Sequence, residues 1–142
     1  MTTGSLLDTN VVSELRKPRP HRAVVAWLQG IPGEQIFISA ITLGEIQAGI
    51  ELIRGRDAAK AVEIEDWLDE VAASYQVLAI DGRVCREWAR LMDGCPDRLM
   101  EEAMLAATAR IHGLTLITRN TRDFEEFRVP LFNPFSGLRR GF

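Results

Sequence analysis

The sequence predicts a three-layer α/β/α domain with a central, mostly parallel sheet. Short apolar and β-branched runs, typical of buried strands, alternate along the chain with longer segments whose apolar residues recur every three or four positions. This alternation favours parallel strands that are connected through helices and covered by them. No internal repeat or long linker divides the 142 residues, so we expect a single domain over residues 1–142.

The composition narrows the class of protein. With 46% hydrophobic residues the chain is not expected to be disordered, and no apolar run approaches the roughly 20 residues that span a bilayer. The net charge of -3 argues against a uniformly basic nucleic-acid-binding protein. Two cysteines make no disulfide framework, and the first five residues lack the features of a signal peptide. We therefore expect a cytoplasmic protein without a membrane segment.

The first half of the chain contains two strand-like and four helix-like segments. Prolines at positions 18 and 20 end the first helix, and the apolar positions at 43, 46, 50 and 53 predict a helix with one buried face. In chain order the segments are strand 6–7, helix 10–17, helix 23–28, strand 36–39, a helix that begins near residue 42, and helix 56–73.

The second half continues the alternation. Gly113 is expected to end a long, almost wholly apolar helix in the left-handed conformation, and Asp97 or a neighbour is expected to cap its start. The segments are strand 77–80, a helix over about 84–91, helix 99–112, strand 114–117 and a short edge strand at 131–132.

Acidic and amide side chains lie where these strands end or these helices begin. The set consists of Asp8, Glu45, Glu101 or Glu102, and Asn120 with Asp123. Ligand sites in open α/β sheets lie beyond the carboxyl ends of the strands, and a hard cation such as Mg²⁺ relieves the repulsion between crowded carboxylates. Such clusters support metal-assisted phosphodiester hydrolysis. In the alternative interpretation these residues are unconnected capping and surface acids.

Four sequence blocks in this order resemble the PIN-domain family, and most closely its VapC-type ribonuclease toxins. The resemblance spans nearly the whole chain, so that it is more specific than any single motif. The blocks are Leu7–Leu15 (LDTNVVSEL), Ser39–Ile46 (SAITLGEI), Ala103–Ala109 (AMLAATA) and Thr118–Phe124 (TRNTRDF).

The resemblance implies a PIN-like fold and an Mg²⁺-dependent endoribonuclease, with Mn²⁺ as a possible substitute. It implies cleavage of tRNA or another structured RNA, with inhibition of translation as the result. It further implies a homodimer that is held inactive by a VapB-type antitoxin, whose C-terminal tail enters the active-site groove.

The resemblance also assigns catalytic residues. Asp8 matches the first metal-binding aspartate, and Glu45 matches the glutamate that completes the site. Glu102 stands where these toxins ordinarily have aspartate; we prefer it to Glu101, which lies about 100° away around the helix. Asp123 is expected to supply the charge that is missing in the fourth acidic region, where Asn120 stands.

We expect Asp8 and Glu102 to bind the metal, with Glu45 as a third metal ligand that, like Asp123, orients water or a second ion. Further residues are expected to hydrogen-bond a carboxylate or to contact the RNA phosphates; they are Thr9, Asn10, Thr118, Arg119 and Asn120, with Arg122 at the mouth.

Two alternative functions share parts of this pattern. A phosphatase of the haloacid-dehalogenase type also begins with a strand and an aspartate, but it requires a second aspartate two residues on, where Asn10 stands. The second alternative is a PIN-like module that binds RNA or antitoxin and is catalytically weakened by Glu102 and Asn120. Only a turnover assay separates this module from the enzyme.

Overall fold

A computed structural model describes residues 3–141, and its centre is a six-stranded sheet. The strand order is β3-β2-β1-β4-β5-β6, with the first five strands parallel and the last antiparallel. The strands are β1 (Ser5–Leu7), β2 (Ile36–Ser39), β3 (Gln76–Leu78), β4 (Thr115–Ile117), β5 (Leu131–Phe132) and β6 (Arg139–Arg140). The predicted mostly parallel sheet is therefore confirmed.

Among the described residues, six α-helices connect and cover the strands. They are α1 (Thr9–Glu14), α2 (Arg22–Gln29), α3 (Ala40–Arg54), α4 (Ala58–Ser74), α5 (Gly82–Met92) and α6 (Met100–His112). Short 3₁₀ segments occur at Gly33–Gln35, Asp97–Leu99 and Thr121–Phe127. Within residues 3–141 no helix is long and apolar enough to cross a membrane.

Alternating residues of β1 separate the two faces of the sheet. Leu6 packs into a core with α6 and the 121–127 segment, which contributes Phe124. Leu7 packs on the opposite face with α1, α2 and α4, which contribute Val12, Val24 and Val71. Because successive side chains of a strand point to opposite faces, Leu6 and Leu7 belong to two core layers, one on each face of the sheet. The predicted three-layer architecture is confirmed.

The C-terminal segment differs from the prediction. The 131–132 strand was expected at the edge of the sheet, but it is internal because β6 pairs with it in antiparallel orientation. The turn between them has Gly137 at φ 82°, and the Gly137 N–H donates to the carbonyl of Asn133 over 2.7 Å. Two adjacent arginines carry no strand signal of their own. They pair with β5 through the backbone, and their side chains contact Phe132 and Glu125.

The start of α6 also differs from the prediction. Asp97 does not cap this helix; it lies in the 3₁₀ turn that precedes the helix, and the N-cap position is Leu99 without a side-chain cap. Glu101 and Glu102 occupy the first turn of α6. Negative charges are stabilised at this end of a helix by its dipole, so the two acids take over part of the role that the cap was expected to play.

Candidate active site

Parallel pairing brings the polar ends of β1 and β4 to the same edge of the sheet. Asp8 directly follows β1 and Thr118 directly follows β4, and the two strands are neighbours. The Asp8 N–H donates to the carbonyl of Ile117 over 2.9 Å, which keeps the two segments in register to their ends. The first and last of the four resembling sequence blocks therefore meet at the carboxyl end of the central strands.

The side chain of Asp8 is held by three hydrogen bonds and is 8% exposed. It caps α1, since its Oδ1 accepts from the Thr9 N–H over 2.7 Å. Its Oδ2 accepts from the Thr118 hydroxyl over 2.8 Å and from the Asn10 side-chain amide over 3.1 Å. Asp8 is thus both the capping residue and a fixed carboxylate at the edge of the sheet.

Burial raises the pKa of Asp8 above its ordinary value, although the hydrogen bonds from Thr118, Thr9 and Asn10 oppose that rise. The charge of Glu102 raises the pKa of Asp8 further. Since like charges influence each other in this way only at short range, Glu102 of α6 and Asp8 share one electrostatic environment.

Glu45 reaches the same region from α3. This helix follows β2 directly and is capped by Ser39, whose hydroxyl accepts from the Ile41 N–H over 3.1 Å. Oε1 of Glu45 accepts from the Thr9 hydroxyl over 3.1 Å, and the same hydroxyl lies 3.1 Å from Oγ1 of Thr42. The residue next to Asp8 is therefore in direct contact with Glu45.

The pKa of Glu45 is raised to about 7. Burial contributes most, followed by hydrogen bonding to the Glu101 carboxyl group and repulsion from its charge. The Thr9 hydrogen bond opposes the rise, and the charge of Asp8 adds to it. The sequence favoured Glu102 over Glu101, whereas the structure brings both acids into the site region: Glu101 faces Glu45, and Glu102 acts on Asp8.

The donor set suits a hard divalent cation. Four carboxylates at the end of β1 and on α3 and α6 interact, and the raised pKa values of Asp8 and Glu45 reflect repulsion and burial that a bound cation would offset. Among the described residues no three acidic, histidine or cysteine side chains are close enough to form a preassembled metal-binding cluster. Instead, the charge of Glu102 acts on Asp8, and Glu101 and Asp8 both act on Glu45.

The loop after β4 is tied to the loop after β1. The Thr118 hydroxyl accepts from the Asn120 N–H over 3.0 Å, and the Arg119 N–H donates to Oδ1 of Asn10 over 3.2 Å. Asn10 and Thr118 therefore orient Asp8 and the two loops. Residues 119–123 line a shallow cavity of about 320 Å³ beside them.

Asp123 lies in this cavity, in the 3₁₀ segment, with a half-buried side chain. In the part of the chain that the structure describes, its side chain makes no hydrogen bond or ion pair with Asp8, Glu45 or Glu102. Its assignment as a fourth catalytic acid stays a prediction. Asn120 and Arg122 line the same cavity and are exposed.

A buried glutamate near the site was not found from the sequence. Glu14, at the end of α1, is 5% exposed and contacts both Lys17 and Arg119. The spacing of Glu14 and Lys17 on a helix signals an ion pair, but no local pattern links Glu14 to a residue more than a hundred positions away.

An open groove of about 280 Å³ begins at Thr9 and Glu45 and continues between α1, α3 and α4. Its walls are mainly apolar beyond the carboxylate, and Arg16 stands at its side. The lining residues away from the acids include Ser13, Arg16, Ile46, Gly49, Ile53 and Ile64.

Comparison with known proteins gives concordant matches. The family model described as PIN domain matches residues 5–129. The toxin FitB of Neisseria gonorrhoeae is 33% identical over 137 residues, which cover 92% of this chain and 97% of FitB. The VapC ribonuclease Y4jK of Sinorhizobium fredii is 34% identical, with coverage of 92% and 96%.

Solved structures agree with the sequence matches. The crystal structure of FitAcB from Neisseria gonorrhoeae superposes with a TM-score of 0.84 at 32% identity and covers 93% of this chain and 99% of that chain. A toxin–antitoxin complex from Klebsiella pneumoniae gives a TM-score of 0.69 at 26% identity, with coverage of 92% and 98%.

Proposed function

The chain belongs to the PIN-domain family, and we propose that it is a metal-dependent endoribonuclease that acts as the toxin of a toxin–antitoxin pair. The observation that carries the proposal is the convergence of Asp8, Glu45 and Glu102, with Glu101, at the carboxyl edge of the sheet. A related protein of nearly the same length is named as a VapC ribonuclease. RNA is therefore the proposed substrate, tRNA or another structured RNA the proposed target, and inhibition of translation the proposed result.

The proposed site takes Mg²⁺, or Mn²⁺, on the carboxylates of Asp8, Glu102 and Glu45. When bound, such an ion supplies Lewis-acid activation of water and neutralises charge on the phosphate. Asp8 offers a carboxylate whose orientation is fixed by the Thr9, Asn10 and Thr118 hydrogen bonds. A fixed ligand matters because Mg²⁺ requires nearly ideal octahedral geometry.

Glu45 is proposed as the third metal ligand, which also orients water. Its pKa of about 7 in the metal-free protein reflects burial and the neighbouring acids, and a bound cation would favour its charged form. The Thr9 hydroxyl donates to its Oε1 and thereby holds this oxygen in place. Asp123, in the segment after β4, has the further proposed role of orienting water. Arg119 and Arg122 belong to the same segment and offer positive charge to RNA phosphates.

The proposed protein partner is a VapB-type antitoxin. The groove that begins at Glu45 is open, has apolar walls, and leads directly from the acidic residues, so that a peptide lying in it would cover the site. A toxin–antitoxin complex with the same fold, at 26% identity, supports this partner. Assembly as a homodimer stays a prediction from the family resemblance.

The proposal is tested by RNA cleavage. Antitoxin-free protein is incubated with total bacterial RNA and then with purified tRNA, in Mg²⁺ and in EDTA. A discrete cut is expected that requires both the metal and Asp8, so that Asp8→Asn abolishes it. Asp81→Asn is the matched control, because Asp81 also caps a helix by accepting from the Val84 N–H over 3.0 Å, but lies outside the acidic group.

Glu102→Asp distinguishes the enzyme from the alternative binding module. If the natural protein cleaves no RNA but Glu102→Asp does, the site is that of an attenuated nuclease. If neither protein cleaves RNA while RNA or antitoxin still binds, the proposal of an enzyme is wrong and the protein is the binding module.

A further inference from the structure

Buried Glu14 contacts two cationic side chains and a backbone N–H, which come from two segments of the chain. One carboxylate oxygen lies 2.9 Å from Nζ of Lys17, and the other accepts from the His21 N–H over 2.9 Å. Nη2 of Arg119 lies 3.6 Å from the first oxygen. The hydrogen bond from Lys17, joined by that of His21 and the charge of Arg119, holds the pKa of Glu14 below its usual value. Glu14 is therefore a buried, charged residue with partners on several sides.

Arg119 is restrained on its other side by an aromatic ring. Its guanidinium carbon lies 3.8 Å from the centroid of the Phe135 ring, in a cation–π contact. Phe135 is in turn packed edge-on against His21, with ring centroids 5.2 Å apart. Its N–H donates to Oδ1 of Asn133 over 2.8 Å. The side chain of Arg119 nevertheless remains 50% exposed, so that it is oriented but still available to a ligand.

The backbone of Arg119 adjoins the segment that holds Asp8. Its neighbour Thr118 donates to Asp8, and its own N–H donates to Asn10, which also hydrogen-bonds Asp8. Arg122 lines the same cavity, but within residues 3–141 it has no ion pair or side-chain hydrogen bond. Of these two cationic side chains at the loop, Arg119 alone is restrained.

We propose that Glu14 is a positioning residue that, together with Phe135, holds the Arg119 guanidinium at the mouth of the site, where it contacts the phosphate backbone of RNA. The inference rests on the proposed function, because it takes RNA as the ligand. An arginine that is already oriented loses less conformational entropy when it binds a phosphate, and its planar fork fits phosphate oxygens.

Neutralising Glu14 separates two effects, because they would change the affinity for RNA in opposite directions. Removing an acid from the surroundings of an RNA site should strengthen binding if only net charge matters, since the protein already carries a charge of -3. If Glu14 positions Arg119, Glu14→Gln should instead weaken binding, although it removes a negative charge. The glutamine keeps the size of the side chain and an oxygen that accepts from the His21 N–H.

The experiment measures equilibrium binding of a labelled, mixed-sequence RNA by fluorescence anisotropy in EDTA, so that no turnover is needed. Glu14→Gln and Arg119→Ala are each expected to raise Kd about three- to tenfold. The double variant should bind no more weakly than Arg119→Ala, because both changes remove the same contact. The slope of log affinity against log salt should fall by roughly 0.7 for the loss of one phosphate contact to single-stranded RNA.

Glu87→Gln is the matched control. Glu87 has a side chain that is 14% exposed and pairs with Arg90 over 3.0 Å and with Arg110 over 2.8 Å, on α5 and α6. Glu87→Gln removes the same charge from a similar ion-pair network, which lies away from the loop at residues 118–123. The RNA affinity of this variant should therefore be unchanged or slightly higher.

Melting temperatures show whether a lower RNA affinity of Glu14→Gln comes from a displaced Arg119 side chain or from unfolding. If Glu14→Gln unfolds, Phe135→Leu removes the other restraint on Arg119 and should show the same non-additivity with Arg119→Ala. Two outcomes overturn the inference but leave the proposed function intact. In the first, the natural protein binds RNA and Glu14→Gln binds it as tightly or more tightly. In the second, the losses of RNA affinity caused by Glu14→Gln and Arg119→Ala add in the double variant. If the natural protein binds no RNA, the proposed function falls and the inference falls with it.

Discussion

The Thr118 hydroxyl donates a 2.8 Å hydrogen bond to Oδ2 of Asp8, and thereby joins the loops that follow the two central strands. Thr118 is fully buried, and Asp8 nearly so. This contact spans 110 positions of sequence and fixes the carboxylate on which the proposed metal site depends.

Thr118→Val is expected to lower the free energy of unfolding by about 1–3 kcal/mol, because it leaves a buried carboxylate oxygen with one fewer donor. It should also raise the pKa of Asp8 further. Denaturant unfolding checks the first effect. Thr108→Val is the control: Thr108 is equally buried, but its hydroxyl donates only to the carbonyl of Met104 in its own helix. Equal losses in the two variants would contradict a special role for the Thr118 contact.

The stability of the metal-free protein should fall as the pH rises from about 4.5 to about 7. The pKa of Glu45 is about 7 in the folded protein and 4.5 in its ordinary state, so in this range the folded state binds more protons than the unfolded chain. Melting curves in EDTA at several pH values check the slope. Glu45→Gln should reduce the slope and melt higher at neutral pH, whereas an unchanged slope would mean that Glu45 titrates normally.

Divalent metal should stabilise the folded protein, with a gain that grows with the logarithm of the metal concentration once this exceeds the dissociation constant. At ten times its dissociation constant, Mg²⁺ is expected to add about 1.4 kcal/mol to the free energy of unfolding. The gain should be greater at pH 8 than at pH 6, because the Glu45 carboxyl must lose its proton to bind a cation. Thermal melting with MgCl₂ and with NaCl at equal ionic strength is the measurement. Stabilisation that persists in Asp8→Asn would place the metal elsewhere.

The two adjacent acids of α6 should have separable effects. Glu102→Gln is expected to lower kcat/KM about a hundredfold or more, since it removes a proposed metal ligand. Glu101→Gln should instead lower the pKa of Glu45, because hydrogen bonding to Glu101 and its charge are among the causes that raise it. The acidic limb of the pH–rate profile should then move to lower pH, with a smaller change in the maximal rate. If the two variants are interchangeable, the division of roles between these acids is wrong.

Much of the fold could be predicted because its signals are local. The apolar run Leu6–Leu7 ends at Asp8, and Ile36–Ser39 precedes α3. Apolar residues of α3 and α4 recur at helical spacing, so the elements and their order along the chain can be predicted from the sequence. The antiparallel β6 was missed because Arg139 and Arg140 pair through their backbone, which has no side-chain signature.

The sequence by itself also determined which acids stand at strand ends and helix starts, since Asp8, Glu45 and Glu102 are placed by the elements that precede or contain them. Only the tertiary structure decided how they are paired. The packing of α6 near α3 brings Glu101 to Glu45, and the meeting of α1 with the loop after β4 brings Glu14 to Arg119. Such contacts depend on the packing of whole helices and on long-range pairing, and no local periodicity encodes either.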